Sequence, residues 1–213
     1  MTYDINSNYP SVTIGLPCLN GEMNVQTVTS LIKIVTTLSF PRHLSFVKNT
    51  YIHIARKHIV LEARKFHTSH LFFLDNDMKV EGDVITKLLA HKKEIIGVNY
   101  NQRKLPLTST VRFKENLIPN YDIGISANQE SVYRVAQEIP DTLFECDAVG
   151  AGCMLIDMRI FDIIGKPWFF YGESDENNTI GEDVWFCAQA QKAGFKIWCD
   201  PSISVKHIGD YEY

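Results

Sequence analysis

The sequence predicts an α/β fold with a mixed, mostly parallel central sheet and helices on both of its faces. β-rich runs of strand length alternate with helix-length segments through the first hundred residues, and a weaker form of the alternation resumes after residue 145. The 213 residues are 45 % hydrophobic and 22 % charged, with 12 Gly and 8 Pro, an ordinary globular composition that suits a single domain spanning 1–213.

Val12-Thr13-Ile14-Gly15-Leu16 reads as the first strand, ended by Pro17, which lacks a backbone donor. From Met23 to Leu38, Val25, Val28, Leu31, Ile32 and Val35 recur near every 3.6 residues, predicting a helix with those residues on one face. Leu44–Val47 reads as a short strand. Tyr51–Phe66 reads as a helix with Ile52, Ala55, Ile59 and Ala63 in one stripe, and His70–Leu74 as the third strand. A helical stretch follows around Val84, Leu88 and Leu89, then a fourth strand over Glu94–Tyr100. Such alternation gives residues 1–100 the look of a nucleotide-binding half.

Between Asn101 and Glu145 the prolines at 106, 119 and 140 break any long helix, so loops and short antiparallel strands are expected. Cys146–Ile156 reads as a buried strand interrupted by small residues, Glu182–Ala193 as a helix stopped by Gly194, and Lys196–Cys199 as the last strand. Neither a linker nor a repeat separates 101–213 from the first half, and the two parts are expected to share one sheet.

Composition narrows the function. Lys and Arg number 21 against 25 Asp and Glu, a formal charge of −4, which argues against a nucleic-acid partner. Five cysteines without a C-x-x-C pair signal neither a disulfide framework nor a structural zinc site and read as reduced, intracellular thiols. The apolar runs fall short of the ~18–20 residues of a membrane span, and the first ten residues lack a basic stretch followed by an apolar core. A soluble, cytoplasmic, unexported chain is expected.

Five features can carry chemistry. Asp75-Asn76-Asp77 follows the strand His70–Leu74 directly, and ligands of open α/β sheets bind at the carboxyl ends of strands. Two carboxylates spaced i, i+2 there can serve a hard divalent cation that bridges diphosphate oxygens. About 0.8 such D-x-D matches arise by chance in this composition, and an Asp-rich turn capping the strand explains the tripeptide as well. Gly181-Glu182-Asp183 opens a helix, where Thr179-x-x-Glu182 reads as a capping box and Asp183 complements the helix dipole, or serves as a base toward a bound hydroxyl. His207, in a polar tail, is a surface histidine or a ligand for a Mn-like ion. Leu16-Pro17-Cys18-Leu19-Asn20 is a turn that can also meet a nucleotide base, and Arg56 can hold a phosphate or the base, whereas Lys57, Arg64 and Lys65 read as a solvated face.

In this order, over nearly the whole chain, the strand ending Leu16-Pro17-Cys18-Leu19-Asn20, the Ala55-Arg56 helix, Leu74-Asp75-Asn76-Asp77, Gly150-Ala151-Gly152, Gly181-Glu182-Asp183 and His207 resemble the GT-A family of nucleotide-sugar glycosyltransferases. The resemblance implies a Rossmann-like nucleotide-binding half over 1–100 and an acceptor and metal half over 101–213. It implies Mn²⁺ or Mg²⁺ as cofactor, a UDP-sugar as donor, and a glycan or glycoprotein as acceptor. Asp77 and His207 would be metal ligands, with Asp75 on the ribose or on the metal shell. Leu16, Pro17, Cys18, Asn20, Arg56, Asp75, Asn76 and Asp77 would line the nucleotide, and Gly152 would let backbone approach the sugar or acceptor. Asp183 would be the base of an inverting reaction, and Asp147 or Asp183 the carboxylate near the anomeric carbon of a retaining one. Within the family the chain resembles glycosyltransferase domains of large chlorella-virus proteins that build a capsid glycan, which implies the host cytoplasm and a longer, multidomain chain. A sugar nucleotidyltransferase and a non-catalytic nucleotide- or glycan-binding module are the alternatives. Against the first, the turn after the first strand lacks the Gly density and cations that such enzymes carry there.

Overall fold

The computed structural model describes residues 10–116, 131–175 and 178–209; Pro119 and the first nine residues lie outside them. The first half runs β1 (Val12–Cys18), α1 (Val25–Thr37), β2 (Arg42–Lys48), α2 (Ile52–Lys65), β3 (His70–Leu74), β4 (Met78–Val80), α3 (Val84–Ala90) and β5 (Ile95–Val98). The second runs β6 (Arg112–Asn116), β7 (Ser131–Val135), β8 (Phe144–Cys146), β9 (Cys153–Asp157), α4 (Ile160–Ile163), β10 (Gly172–Asp175), β11 (Asn178–Ile180), α5 (Glu182–Lys192), β12 (Ile197–Asp200) and β13 (Val205–His207).

Seven strands form the central sheet in the order β2-β1-β3-β9-β5-β12-β8. β1 lies parallel to β2 and β3, and β12 parallel to β5. β9 is antiparallel to both β3 and β5, and β8 to β12, so two strands of the second half run against an otherwise parallel sheet. β9 sits between two strands of the first half, which places both halves in one sheet.

Side-chain alternation sorts the core onto the two faces. Leu71 and Phe73 of β3 with Met154 and Ile156 of β9 face Ile59, Val60 and Ala63 of α2 and Val184, Phe186 and Cys187 of α5. Phe72 and Leu74 with Cys153 and Leu155 face Leu31 and Ile34 of α1 and Val84, Ile85 and Leu88 of α3. Gly15 lets α2 lie directly on β1, since a Cβ there would stand 2.3 Å from Cγ2 of Ile59. All five cysteines are buried and unpaired, and among the described residues no helix is long and apolar enough to cross a membrane.

The structure corrects four local expectations. Pro17 does not end the first strand: β1 pairs with β2 through Pro17 and Cys18, while its pairing with β3 stops at Gly15. Beyond Gly15 that side of β1 has left the ladder, where a residue without a donor is tolerated. The buried stripe of α1 is Thr27, Ser30, Leu31 and Ile34, whereas Val25 is 78 % and Ile32 56 % exposed. Small hydroxyl residues on the sheet side shifted the apparent face, and one of them, Ser30, accepts the Val80 amide at 3.0 Å. The stretch 146–156 is not one strand but the end of β8, a turn over 147–152, and most of β9. Gly181, not Thr179, is the N-cap of α5, with no side-chain cap bond; the side chain of Thr179 lies outside the described residues, and that of Glu182 is engaged elsewhere.

Candidate functional site

The carboxyl ends of β1 and β3 and the start of α2 open onto a cavity of about 400 Å³, the place where open α/β sheets bind ligands. β3 delivers Asp75 to its edge, and the Asp75 amide donates to the Gly152 carbonyl at 3.0 Å, tying the carboxyl end of β3 to the turn that precedes β9. Asn76 secures the other side: its Nδ2 donates to the Glu22 carbonyl at 2.8 Å, and its own carbonyl accepts the Asn24 amide at 2.9 Å.

Asp77 meets His207 because β4 and β13 pair antiparallel, with His207 opposite Met78. The Ile208 amide donates to the Asp77 carbonyl at 2.7 Å and closes the pair. Nε2 of His207 then stands 3.3 Å from Oδ2 of Asp77. The ring's Nδ1 lies 3.0 Å from the Asn101 carbonyl, an oxygen that only accepts, so Nδ1 carries the proton there. With Nδ1 so committed, Nε2 turns either a lone pair or a second proton toward a carboxylate. A ring held through Nδ1 with Nε2 presented is the arrangement in which histidine ligates metals, and a carboxylate beside an imidazole suits a Mn-like ion. Asp77 and His207 therefore fit as a two-residue holder. Among the described residues no three His, Cys, Asp or Glu side chains converge as a complete cage.

Asp75 faces Arg56 instead. The guanidinium, only 2 % exposed, donates from Nη2 to both carboxylate oxygens of Asp75, at 2.9 and 3.2 Å, from Nε to Oε1 of Glu182 at 3.1 Å, and from Nη1 to the Ala151 carbonyl at 3.4 Å. It also lies over the Phe73 ring, 4.9 Å from the centroid. Desolvation works against its charge, but Asp75 and Glu182 outweigh it and hold the group protonated. Burial pushes the Asp75 carboxyl up, and Arg56 only partly offsets this. Arg56 thus lies behind the cavity wall as a staple between β3 and α5.

Gly150 and Gly152 lie against Tyr100. Cβ atoms there would lie 2.3 and 2.6 Å from the Tyr100 hydroxyl. The bare backbone admits this phenol, which accepts the Gly152 amide at 2.9 Å and packs edge-on to His207 at 5.6 Å between centroids. Burial, then Asp75 and Asp183, raise the Tyr100 hydroxyl well above its usual range, so it stays neutral.

Asp183 stands in the first turn of α5 and accepts the Val184 amide at 2.7 Å. Burial, then the adjacent Glu182, push its carboxyl up to about 6. It lies beside this cluster and is not part of the cavity wall. Asp147 is not brought here. Its oxygens accept from the Lys114 amide at 2.7 Å and from Nε2 of Gln191 at 2.8 Å, and Gln191 is at the other end of α5, roughly 12 Å along the axis from Asp183.

Of the first-strand turn, Pro17 and Leu19 line the cavity, whereas Leu16 and Cys18 point into the core and Asn20 is exposed outside it. Sequence reasoning missed Thr50, Tyr51 and Ile52 at the start of α2, Arg103, and Tyr171. The first three follow β2 directly and share the strand-end location that singled out Asp75. Arg103 and Tyr171 sit in irregular segments with no periodic signal.

No family model matches the chain, and no curated protein matches its sequence. Among solved structures it is similar to A197 from STIV, 14 % identical with a TM-score of 0.62, over 95 % of this chain and 87 % of that one. It is similar to GalNAc-T7 solved with UDP, GalNAc and Mn²⁺, 14 % identical with a TM-score of 0.52; the match covers 97 % of this chain but 45 % of that one, so this chain spans less than half of that structure. It is also similar to the inositol-1-phosphate CTP transferase from T. maritima, 10 % identical with a TM-score of 0.51, over 95 % and 90 % of the two chains. These likenesses show the fold: a Rossmann-like, GT-A-like architecture.

Proposed function

We propose that the chain is a divalent-ion-dependent glycosyltransferase that takes a UDP-sugar and transfers the sugar to a hydroxyl of a glycan or glycoprotein. The observation that carries this reading is the Asp77–His207 pair, 3.3 Å apart at the strand-end cavity, with Nδ1 of His207 committed to the Asn101 carbonyl. A bound Mn²⁺ or Mg²⁺ would offset charge on the departing nucleoside diphosphate. The fold likeness to GalNAc-T7, whose structure holds UDP and Mn²⁺, supports the same assignment.

In this reading Asp77 and His207 hold the ion, while Pro17, Leu19 and Tyr51 provide an apolar and aromatic wall for the base. Arg56 neutralises Asp75 and keeps it from competing as a second anion, and Asp183, which stands beside the cavity and not in its wall, takes the proton of an acceptor hydroxyl bound on that side. The sequence resemblance extends the proposal to a viral capsid glycan as the product.

Calorimetric titration of UDP with and without Mn²⁺ tests the site. Binding should require Mn²⁺ and weaken by about 100-fold or more in Asp77→Ala and His207→Ala, since even outer partners of metal ligands are worth about 10–100-fold. Equal UDP affinity in the variants and the wild type would remove the site. The fold likeness to the CTP transferase supports a second reading, sugar nucleotidyl transfer. It would show as pyrophosphate release from a nucleoside triphosphate and a sugar phosphate. The residues from Pro17 to Asn24 include one glycine and neither Arg nor Lys to hold a triphosphate, which favours the first reading.

A further inference from the structure

Asp77 already carries a cation. Nη1 of Arg103 lies 3.1 Å from Oδ2 of Asp77, the same oxygen that faces His207. Arg103 comes from the irregular segment between β5 and β6, pinned on one side by the Gln102 amide donating to the Thr108 carbonyl at 2.8 Å. Its side chain is 51 % exposed and that of Asp77 only 18 %. The anion is therefore fixed in the wall, and the cation is the partner free to change rotamer. A half-exposed ion pair is weak and readily exchanged. Arg103 borders the same cavity as Asn76 and Tyr51, and a guanidinium presents a planar fork of donors matched to phosphate oxygens.

We propose that Arg103 is a tethered counter-cation, which holds Oδ2 of Asp77 while no divalent ion is bound, is displaced by the ion, and then binds the diphosphate of the nucleotide in the same cavity. The inference rests on the reading of Asp77 and His207 as ion ligands. Two cations cannot occupy one carboxylate oxygen without strong repulsion, whereas a diphosphate arriving with the ion supplies new anionic oxygens within reach of the freed side chain. Removing the Arg103 charge must then change the two affinities in opposite directions, which loss of a merely structural contact would not do.

The test is calorimetric titration of MnCl₂ alone, and then of UDP at saturating Mn²⁺, into wild type, Arg103→Gln and Arg103→Lys, with Asp77→Ala as control. Arg103→Gln should bind Mn²⁺ about threefold or more tightly than wild type, the size of a half-exposed ion pair. It should bind UDP about tenfold more weakly, the size of a charge-assisted hydrogen bond. Arg103→Lys, which keeps the charge but not the fork, should stay within about threefold of wild type for Mn²⁺ and fall between wild type and Arg103→Gln for UDP. Unchanged or weaker Mn²⁺ binding by Arg103→Gln overturns the displacement, and unchanged UDP affinity overturns the hand-over to diphosphate; either result leaves the ion site standing. Mn²⁺ binding that is absent throughout, or that survives Asp77→Ala, overturns the ion site and the proposal with it.

Discussion

Nε of Arg56 donates to Oε1 of Glu182 at 3.1 Å, so the first half of α2 is tied to the first turn of α5. The other edge of the same guanidinium grips Asp75 at 2.9 Å. One buried cation thus joins the carboxyl end of a central strand to the N-terminus of the helix that bears Asp183. The acidic start of α5, which reads in sequence as a capping box, owes its place to this ion pair.

Arg56→Ala would leave two carboxylates desolvated without a partner, a loss of about 3–5 kcal/mol. Chemical denaturation measures it. Arg56→Lys should recover only part, because an ammonium cannot present the fork that serves Asp75 and Glu182 together. A loss below about 1 kcal/mol for Arg56→Ala would mean that the staple is dispensable.

As the proposed base, Asp183 would link activity to stability with opposite signs. With its carboxyl pushed up to about 6, transfer should rise with pH through that value and level off above about pH 7. Asp183→Asn should lower transfer by about 10²–10⁴-fold with UDP affinity unchanged. Burial favours the neutral carboxyl, so the folded state binds the proton more readily than the unfolded chain, whose value is near 4. Stability is therefore lost as pH rises from about 4 through about 6. Asp183→Asn should melt above wild type at pH 8, with the gap shrinking toward pH 4; a constant gap across that range would contradict the assignment.

Gly152→Ala sets a Cβ 2.6 Å from the Tyr100 hydroxyl and 3.0 Å from Oδ2 of Asp75. The variant should lose about 1–3 kcal/mol, as overpacked sites do. It should also weaken Mn²⁺-dependent UDP binding, since Tyr100 packs against His207. Gly165→Ala is the control: nothing lies within 4 Å of its Cβ, and it should be neutral or stabilise by up to about 1 kcal/mol. Equal losses in the two variants would show that the crowding at 152 is relieved at little cost.

The third strand was legible to the residue, His70–Leu74, because it is apolar on both faces and ends abruptly in Asp75. The helix over residues 25–37 was legible in extent but not in orientation. Val25 and Ile32 are exposed although hydrophobic, while Thr27 and Ser30 are buried beside Leu31 and Ile34 because small side chains let the helix approach. β9 was read as continuous with β8, since nothing local distinguishes a turn of small residues from a strand that contains them. Its antiparallel insertion between β3 and β5 depends on partners remote in sequence.

The sequence by itself determined the alternation of strands and helices, a net charge of −4, and the position of Asp75-Asn76-Asp77 at a strand end, because periodicity, charge and turn chemistry are local properties. The tertiary structure decided which side chains meet. The β4–β13 pairing brings His207 to Asp77, the buried guanidinium of Arg56 claims Asp75 and Glu182, and the hydrogen bonds of Asp147 hold it to Lys114 and Gln191. Each carboxylate entered the fold with the same charge, and which role it took depended on the partner that met it once water was removed.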